Sequence, residues 1–139
     1  MNGLASTVGR LGQRDEAERL YREAVAIAAK ELGNEHSDTG GNLTDLGALL
    51  SRTGKPVDAL PMLRRSHAIL RKIYGERDVR TAEAGLTLGE CLLALGRSSE
   101  TRSLFEQSYA SLRSLRGDSD ELTRRTDAAR RTSQARSPR

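Results

Sequence analysis

Two series of glycines run through this chain at a fixed interval: Gly12, Gly54 and Gly96, and Gly33, Gly75 and Gly117, each step being 42 residues. Apolar positions keep the same register, in the sets Leu4, Leu46, Leu88; Val8, Leu50, Leu92; Leu20, Met62, Leu104; and Tyr21, Leu63, Phe105. Small and polar positions do so too, as Ala24, Ser66, Ser108 and as Thr39, Thr81, Thr123. A period of this length marks an array in which each unit is one supersecondary element stacked on the next. A line of units is therefore expected rather than one shared centre.

Each unit reads as two helices. Leu43, Leu46, Gly47 and Leu50 fall at i, i+3, i+4 and i+7, the stripe of an amphipathic helix. Gly54 follows the last apolar residue, where a helix ends most easily on a residue without Cβ, and Pro56 suits the first turn of the next helix. A second stripe runs through Ala59, Leu63, Ser66, Ile69, Leu70 and Ile73 and stops at Gly75. The polar joint Glu76-Arg77-Asp78 offers an N-cap for the helix after it. The spacing predicts helices near 3–12, 15–32, 38–53, 56–74, 79–95 and 98–116, and a seventh near 119–135. Three repeats are expected at about 1–35, 36–77 and 78–117, followed by a capping helix over 118–135 and a disordered basic end at 136–139.

Such an array explains how the chain manages with 36% hydrophobic residues and only 3% aromatics, because Ala and Leu at helix interfaces replace large rings. The net charge of +4 is uneven: in residues 122–139 six arginines stand against Asp127, so the rest of the chain sums to −1. The basic balance belongs to the tail and gives no reason to expect a basic groove on the body. A single cysteine, Cys91, excludes an internal disulfide and a Cys-based zinc site. No apolar run approaches the ~18 residues needed to span a bilayer, and the start lacks the pattern of a secretory signal, so no membrane partner is expected. A cytoplasmic location is the default expectation.

The series Leu46, Gly47, Leu50, Ala59, Leu63, Ser66 resembles the tetratricopeptide repeat pattern, and the 42-residue period is similar to the kinesin-light-chain type of that repeat. The joints Leu32-Gly33-Asn34-Glu35-His36-Ser37-Asp38 and Tyr74-Gly75-Glu76-Arg77-Asp78, and Pro61 early in a second helix, carry the same resemblance over residues 1 to about 121. It implies an all-α fold, a right-handed α–α superhelix of three helix hairpins closed by a C-terminal capping helix. It also implies a groove lined by the first helix of each unit, and frequent placement beside signalling domains. Paired asparagines in that helix hold a peptide backbone in the family; the equivalent positions here are Thr44-Asp45 and Leu86-Thr87. The third unit departs from the pattern at Gly85 and Thr101, and the first begins part-way into its first helix, as a fragment or a late start would.

On the expected groove face stand Gly41, Thr44, Ala48 and Ser51, with Arg52 beside them, and in the third unit Glu83, Leu86, Glu90 and Leu93, with Arg10 a further donor. The candidate partner-binding set is Thr44, Asp45, Ala48, Ser51, Arg52, Glu83, Leu86, Thr87 and Glu90. A clamp for a terminal carboxylate needs Lys or Arg at Thr44, Ala48, Leu86 or Glu90, and none is there. Cys91 reads as a buried small hydrophobe rather than a nucleophile. His36 reads as a joint residue, and His67 as an outward residue with no second metal ligand. Asp118, Asp120 and Glu121 read as N-capping groups. No catalytic, metal or cofactor-binding constellation can be assembled, so the chain is not expected to be an enzyme. Three functions remain: a protein-interaction scaffold gripping a peptide or partner helix; a module that self-associates, as a homo-oligomer, through its N-terminal edge; and a nucleic-acid binder acting through Arg124 to Arg139. The third is disfavoured because no aromatics interleave the arginines.

Overall fold

Five glycines, Gly33, Gly54, Gly75, Gly96 and Gly117, take positive φ between 76° and 104° and punctuate the chain every 21 residues. Each closes a helix. The computed structural model describes residues 3–136, in the order α1 (Gly3–Leu32), α2 (Ser37–Arg52), α3 (Pro56–Tyr74), α4 (Val79–Ala94), α5 (Ser98–Arg116) and α6 (Glu121–Arg136). The helices α2, α4 and α6 start and end 42 residues apart, as do α3 and α5. Residues 137–139, most of the expected disordered end, lie outside the described residues, and Arg136 closes α6.

The periodicity extends to the caps. His36 Nδ1 accepts the Asp38 N–H at 3.0 Å, Asp78 accepts the Arg80 N–H at 2.9 Å, and Asp120 Oδ2 accepts the N–H groups of Leu122 and Thr123 at 3.0 and 3.2 Å. Those three residues, one per period, satisfy N–H groups that the start of a helix leaves unpaired.

Within a repeat the two helices meet over glycine. A Cβ added at Gly47 would sit 2.4 Å from Leu63 Cδ2, and one at Gly89 2.5 Å from Phe105, so only glycine seats those side chains. Leu46 and Leu50 of α2, Ala59 and Leu63 of α3, and Leu88, Cys91 and Leu92 of α4 form one continuous buried cluster. Each fully buried leucine contributes about 1.5–3 kcal/mol of hydrophobic stabilisation. Every helix packs on its chain neighbours; in addition the backbones of α2 and α4, and of α4 and α6, come close, while α3 reaches α5 through the Arg64–Glu100 ion pair at 3.2 Å. The result is a two-layered solenoid with α2, α4 and α6 as the closer-spaced inner layer.

The first unit departs from expectation. No joint forms at Gly12, and residues 3–32 are a single helix, so six helices are described where seven were expected. Two local differences account for it. Position 14, where the second repeat has Pro56, is Arg14, and Gln13-Arg14-Asp15-Glu16 are all compatible with helix, whereas a residue before proline is pushed out of it. Position 5, in register with Gly47 and Gly89, is Ala5, so the glycine seat that lets a hairpin close tightly is missing opposite Tyr21. Glycine inside a helix costs only about 1 kcal/mol relative to alanine, so Gly12 alone does not stop it.

Candidate partner-binding face

Because α2, α4 and α6 stand side by side, equivalent positions of successive repeats share one face. Two depressions divide it, one toward the N-terminal ends of α2 and α4, the other toward their C-terminal ends.

The first, of about 310 Å³, collects Asp38, Thr44 and Asp45 from α2, Tyr74 from α3, and Arg80 and Glu83 from α4. Its one cation is already engaged: the Arg80 guanidinium lies 3.6 Å from the Tyr74 ring centroid and is bonded to Asp78 at 3.0 and 3.1 Å. Asp38, Asp45 and Glu83 make no ion pair among the described residues. Removal of water from around Asp45 pushes its carboxyl above the ordinary carboxylate value. The second, of about 200 Å³, is lined by Ala48, Ser51 and Arg52 of α2, Thr87 and Glu90 of α4, and Arg125 of α6. Glu90 is bound to Arg125 at 2.6 Å, which leaves Arg52 as a cation without an ion pair among the described residues. The face is thus acidic at the helix starts and basic at the helix ends. Charges of those signs also complement the helix macrodipoles, by about 0.3–1 kcal/mol each, so part of the pattern serves the helices themselves.

Eight of the nine residues singled out from sequence line these depressions: Thr44, Asp45 and Glu83 the first, and Ala48, Ser51, Arg52, Thr87 and Glu90 the second. Leu86 does not. It is fully buried in the inner layer, as a leucine on a helix with neighbours on both sides must be, and supports the face from beneath. Thr44 and Thr87 are also largely buried, and each donates its hydroxyl to a backbone carbonyl one turn back, of Gly40 and Glu83, at 3.1 and 3.0 Å. Of the four positions equivalent to the family's asparagines, only Asp45 is exposed. The side chain of Arg10 lies outside the described residues.

Sequence reasoning passed over Tyr74, Arg80 and Arg125. Arg125 was within reach, since it shares its repeat position with Gly41 and Glu83 and so belongs to the inner layer, not to a loose tail. Other arginines of α6 are also engaged. Arg130 lies 4.5 Å from the Tyr109 ring centroid and pairs with Asp127 at 2.7 Å and Glu106 at 3.4 Å, and Arg131 pairs with Asp127 at 3.2 Å. Within α6, Thr123, Thr126 and Ser133 are buried, Leu122 and Ala129 are half-buried, and Arg124, Arg125 and Arg131 keep much of their surface exposed.

His67 is likewise not outward. It is half-buried against Gly85, whose added Cβ would lie 3.4 Å from Nε2. Cys91 is fully buried with Sγ 3.2 Å from the Pro56 carbonyl, and burial pushes its thiol pKa up, the opposite of an activated nucleophile. Among the described residues no cluster of three His, Cys, Asp or Glu is placed to hold a metal, and no helix is long and apolar enough to cross a membrane.

Residues 1–72 and 42–114 match the tetratricopeptide repeat family model. No curated protein matches. Among solved structures, the nearly identical TPR-like repeats of a Podosopora anserina protein described as a kinesin light chain superimpose with a TM-score of 0.83, at 22% identity, over 96% of this chain and 63% of that one. A variant of the same protein gives 0.84 over the same shares and at the same identity. BtubC (BKLC) from P. vanneervenii gives 0.80 at 19% identity, over 96% of this chain and 53% of that one. The chain therefore spans less than two thirds of each of these neighbours, and at such identities the likeness speaks for the fold alone.

Proposed function

The chain belongs to the tetratricopeptide repeat family, and on that premise we propose that it is a protein-interaction module whose inner face, formed by α2, α4 and α6, holds an extended segment of a partner protein. Repeats of this family mediate protein–protein contacts, typically as scaffolds rather than catalysts. The observation that carries the reading is the pair of depressions, with Asp45 and Arg52 in them lacking ion pairs among the described residues. Groups of opposite sign seven residues apart on one helix lie about 10 Å apart along its axis. An extended peptide rises about 3.3 Å per residue and turns alternate side chains to one side, so a Lys or Arg and an Asp or Glu four residues apart, about 13 Å, would meet both through their flexible side chains. The partner's basic side chain would relieve the desolvated Asp45 carboxylate beside Glu83, and its acidic side chain would bond Arg52.

The same geometry argues against the tail as a nucleic-acid arm. Arg125, Arg130 and Arg131 are bound to carboxylates of α4, α5 and α6, which lowers the positive charge available to phosphates.

The test is selection of a random peptide library against the folded chain, followed by anisotropy titration of the enriched peptides. Enriched peptides are expected to carry a basic and an acidic residue four apart. Asp45→Lys and Arg52→Glu should each weaken them about 10- to 100-fold, the range for a charge-assisted hydrogen bond worth about 1.5–3 kcal/mol. Arg65→Glu, on the exposed side of α3, should leave affinity unchanged. Peptides that respond to Arg65→Glu and ignore both inner-face changes would defeat the proposal.

A further inference from the structure

The second depression brings three charged groups together, one from each inner helix. Thr87 and Glu90, three residues apart, share one side of α4. Arg52 of α2 and Arg125 of α6 line the same hollow of about 200 Å³ with them. Glu90 pairs with Arg125 at 2.6 Å, and Arg52 has no ion pair among the described residues. The Thr87 hydroxyl is already spent on the Glu83 carbonyl at 3.0 Å. The hollow therefore offers one uncommitted guanidinium, and its two positive charges are offset by one negative charge.

We propose that Glu90 is the specificity-determining residue of this hollow: by holding Arg125 it leaves Arg52 to grip a single carboxylate of the partner, and it refuses a phosphorylated side chain. This role for Glu90 rests on the inner-face reading above, of which it names the acidic subsite. A carboxylate presents two oxygens, which one planar guanidinium binds side by side. It brings one negative charge, and the hollow is then neutral. A phosphoryl group brings about −1.5 to −2 charges at pH 7 and three acceptor oxygens. With Arg125 engaged, the extra charge has no cation to meet and lies beside the Glu90 carboxylate. Discrimination then comes from a repulsive group as well as an attractive one. A Ser or Thr at this position of the partner segment does not become a ligand when it is phosphorylated.

Glu90 and Arg125 both keep water contact, so their pair contributes little to folding and can be removed from a folded chain. The probes are N-acetyl aspartate amide and N-acetyl phosphoserine amide, titrated into the 139-residue chain at low salt and about pH 7.5, where the phosphate is dianionic. The guanidinium N–H resonances of Arg52 and Arg125 are followed by NMR. The wild-type chain is expected to bind the aspartate probe at least as tightly as the phosphoserine probe, with the Arg52 resonance responding. Glu90→Gln frees Arg125 and should tighten the aspartate probe about threefold and the phosphoserine probe about tenfold, because the Coulomb energy scales with the charge of the ligand. Arg125→Gln strands Glu90 and should weaken both probes. Glutamine at both positions restores the wild-type net charge and should bring the aspartate probe back near its wild-type affinity. A phosphoserine-to-aspartate ratio left unchanged by Glu90→Gln, with Arg52 still responding, would overturn the role of Glu90 and leave the inner-face reading standing. An Arg52 resonance that ignores both probes in every variant would overturn the two together.

Discussion

The first and last described repeats of this solenoid are built from the same 42-residue unit and present opposite outer surfaces. At the C-terminal end, Arg130, Arg131 and Gln134 of α6 stand where α4 has Leu88, Gly89 and Leu92. A following helix would find charge where it needs leucine, and an arginine where it needs the glycine seat. Arg130 instead turns over Tyr109 and is held by Glu106 and Asp127. In the first repeat the described surface is apolar instead: Leu20, Ile27 and Leu32 of α1 are about half exposed, and an open hollow between α1 and α2 runs past Ile27 and Ala28. A repeat array needs polar end units to stay soluble as separate pieces. Three polar positions distinguish α6 from α4 on that side, while the described part of α1 keeps the apolar residues of an interior unit.

The sharpest way to break that contrast is to make the same change at the end and in the middle. Ile27 and Ile69 occupy the same repeat position, yet Ile27 is 54% exposed and Ile69 is 5%. Ile69→Ala should cost about 2–5 kcal/mol in urea unfolding, the range for a truncated buried aliphatic side chain. Ile27→Ala should stay within about 0.5 kcal/mol, as exposed sites do. Comparable losses would mean that α1 is covered in solution as fully as α3, and the open-end description would have to go.

The middle of the molecule was readable because several kinds of signal agree there. Gly54, Pro56 and the Leu46/Leu50 stripe each demand the same joint, and the observed helices α2 and α3 lie within one residue of the expected bounds. The first unit carried two of those signals, Gly12 and the Leu4/Val8 stripe, without the proline. A glycine permits a turn; the proline after it and the glycine seat opposite a large side chain enforce one, and the first unit has neither. The face carrying the candidate site was readable from helical spacing within one helix. Leu86 was misplaced because spacing within a helix cannot reveal that neighbouring inner helices cover it from the sides. Arg125 was missed for the converse reason: a polar sequence looks like a tail until its register shows that it forms the third inner helix.

A second comparison concerns the buried threonines Thr39, Thr81 and Thr123, one per period. Thr39 donates to the Gly33 carbonyl at 2.8 Å and Thr81 to the Leu70 carbonyl at 3.2 Å, whereas the Thr123 hydroxyl, 1% exposed at the α5–α6 end, finds no acceptor among the described residues. Removing a satisfied hydroxyl loses a net hydrogen bond and strands its partner; removing an unsatisfied one relieves a desolvation cost. Thr81→Val should therefore lower stability by about 1 kcal/mol, while Thr123→Val should be neutral or slightly stabilising. Equal losses at both sites would show that the last helix is bonded like the interior ones.

The smallest expected effect is confined to a pH window, and it tests one repeat position used three ways. Position 25 is Val25 in the first repeat, position 67 is His67 in the second, and position 109 is Tyr109 beneath Arg130 of α6. Burial lowers the His67 pKa from its ordinary 6.5, the nearby Arg71 lowers it further, and Glu76 only partly opposes them. The folded chain therefore holds a neutral imidazole at pH values where the unfolded chain has already taken up a proton. Above about pH 6.5 both states are neutral and His67 contributes no slope. As pH falls through 6.5 the unfolded state binds the proton first, so stability declines until the lower, folded-state pKa is reached and then levels off. The urea midpoint should drop between pH 7.5 and 5.5, and His67→Val, the residue the first repeat already uses, should flatten that portion of the profile. A drop that survives His67→Val would place the titrating group elsewhere. It would also return His67 to solvent, where its burial against Gly85 could no longer be the cause.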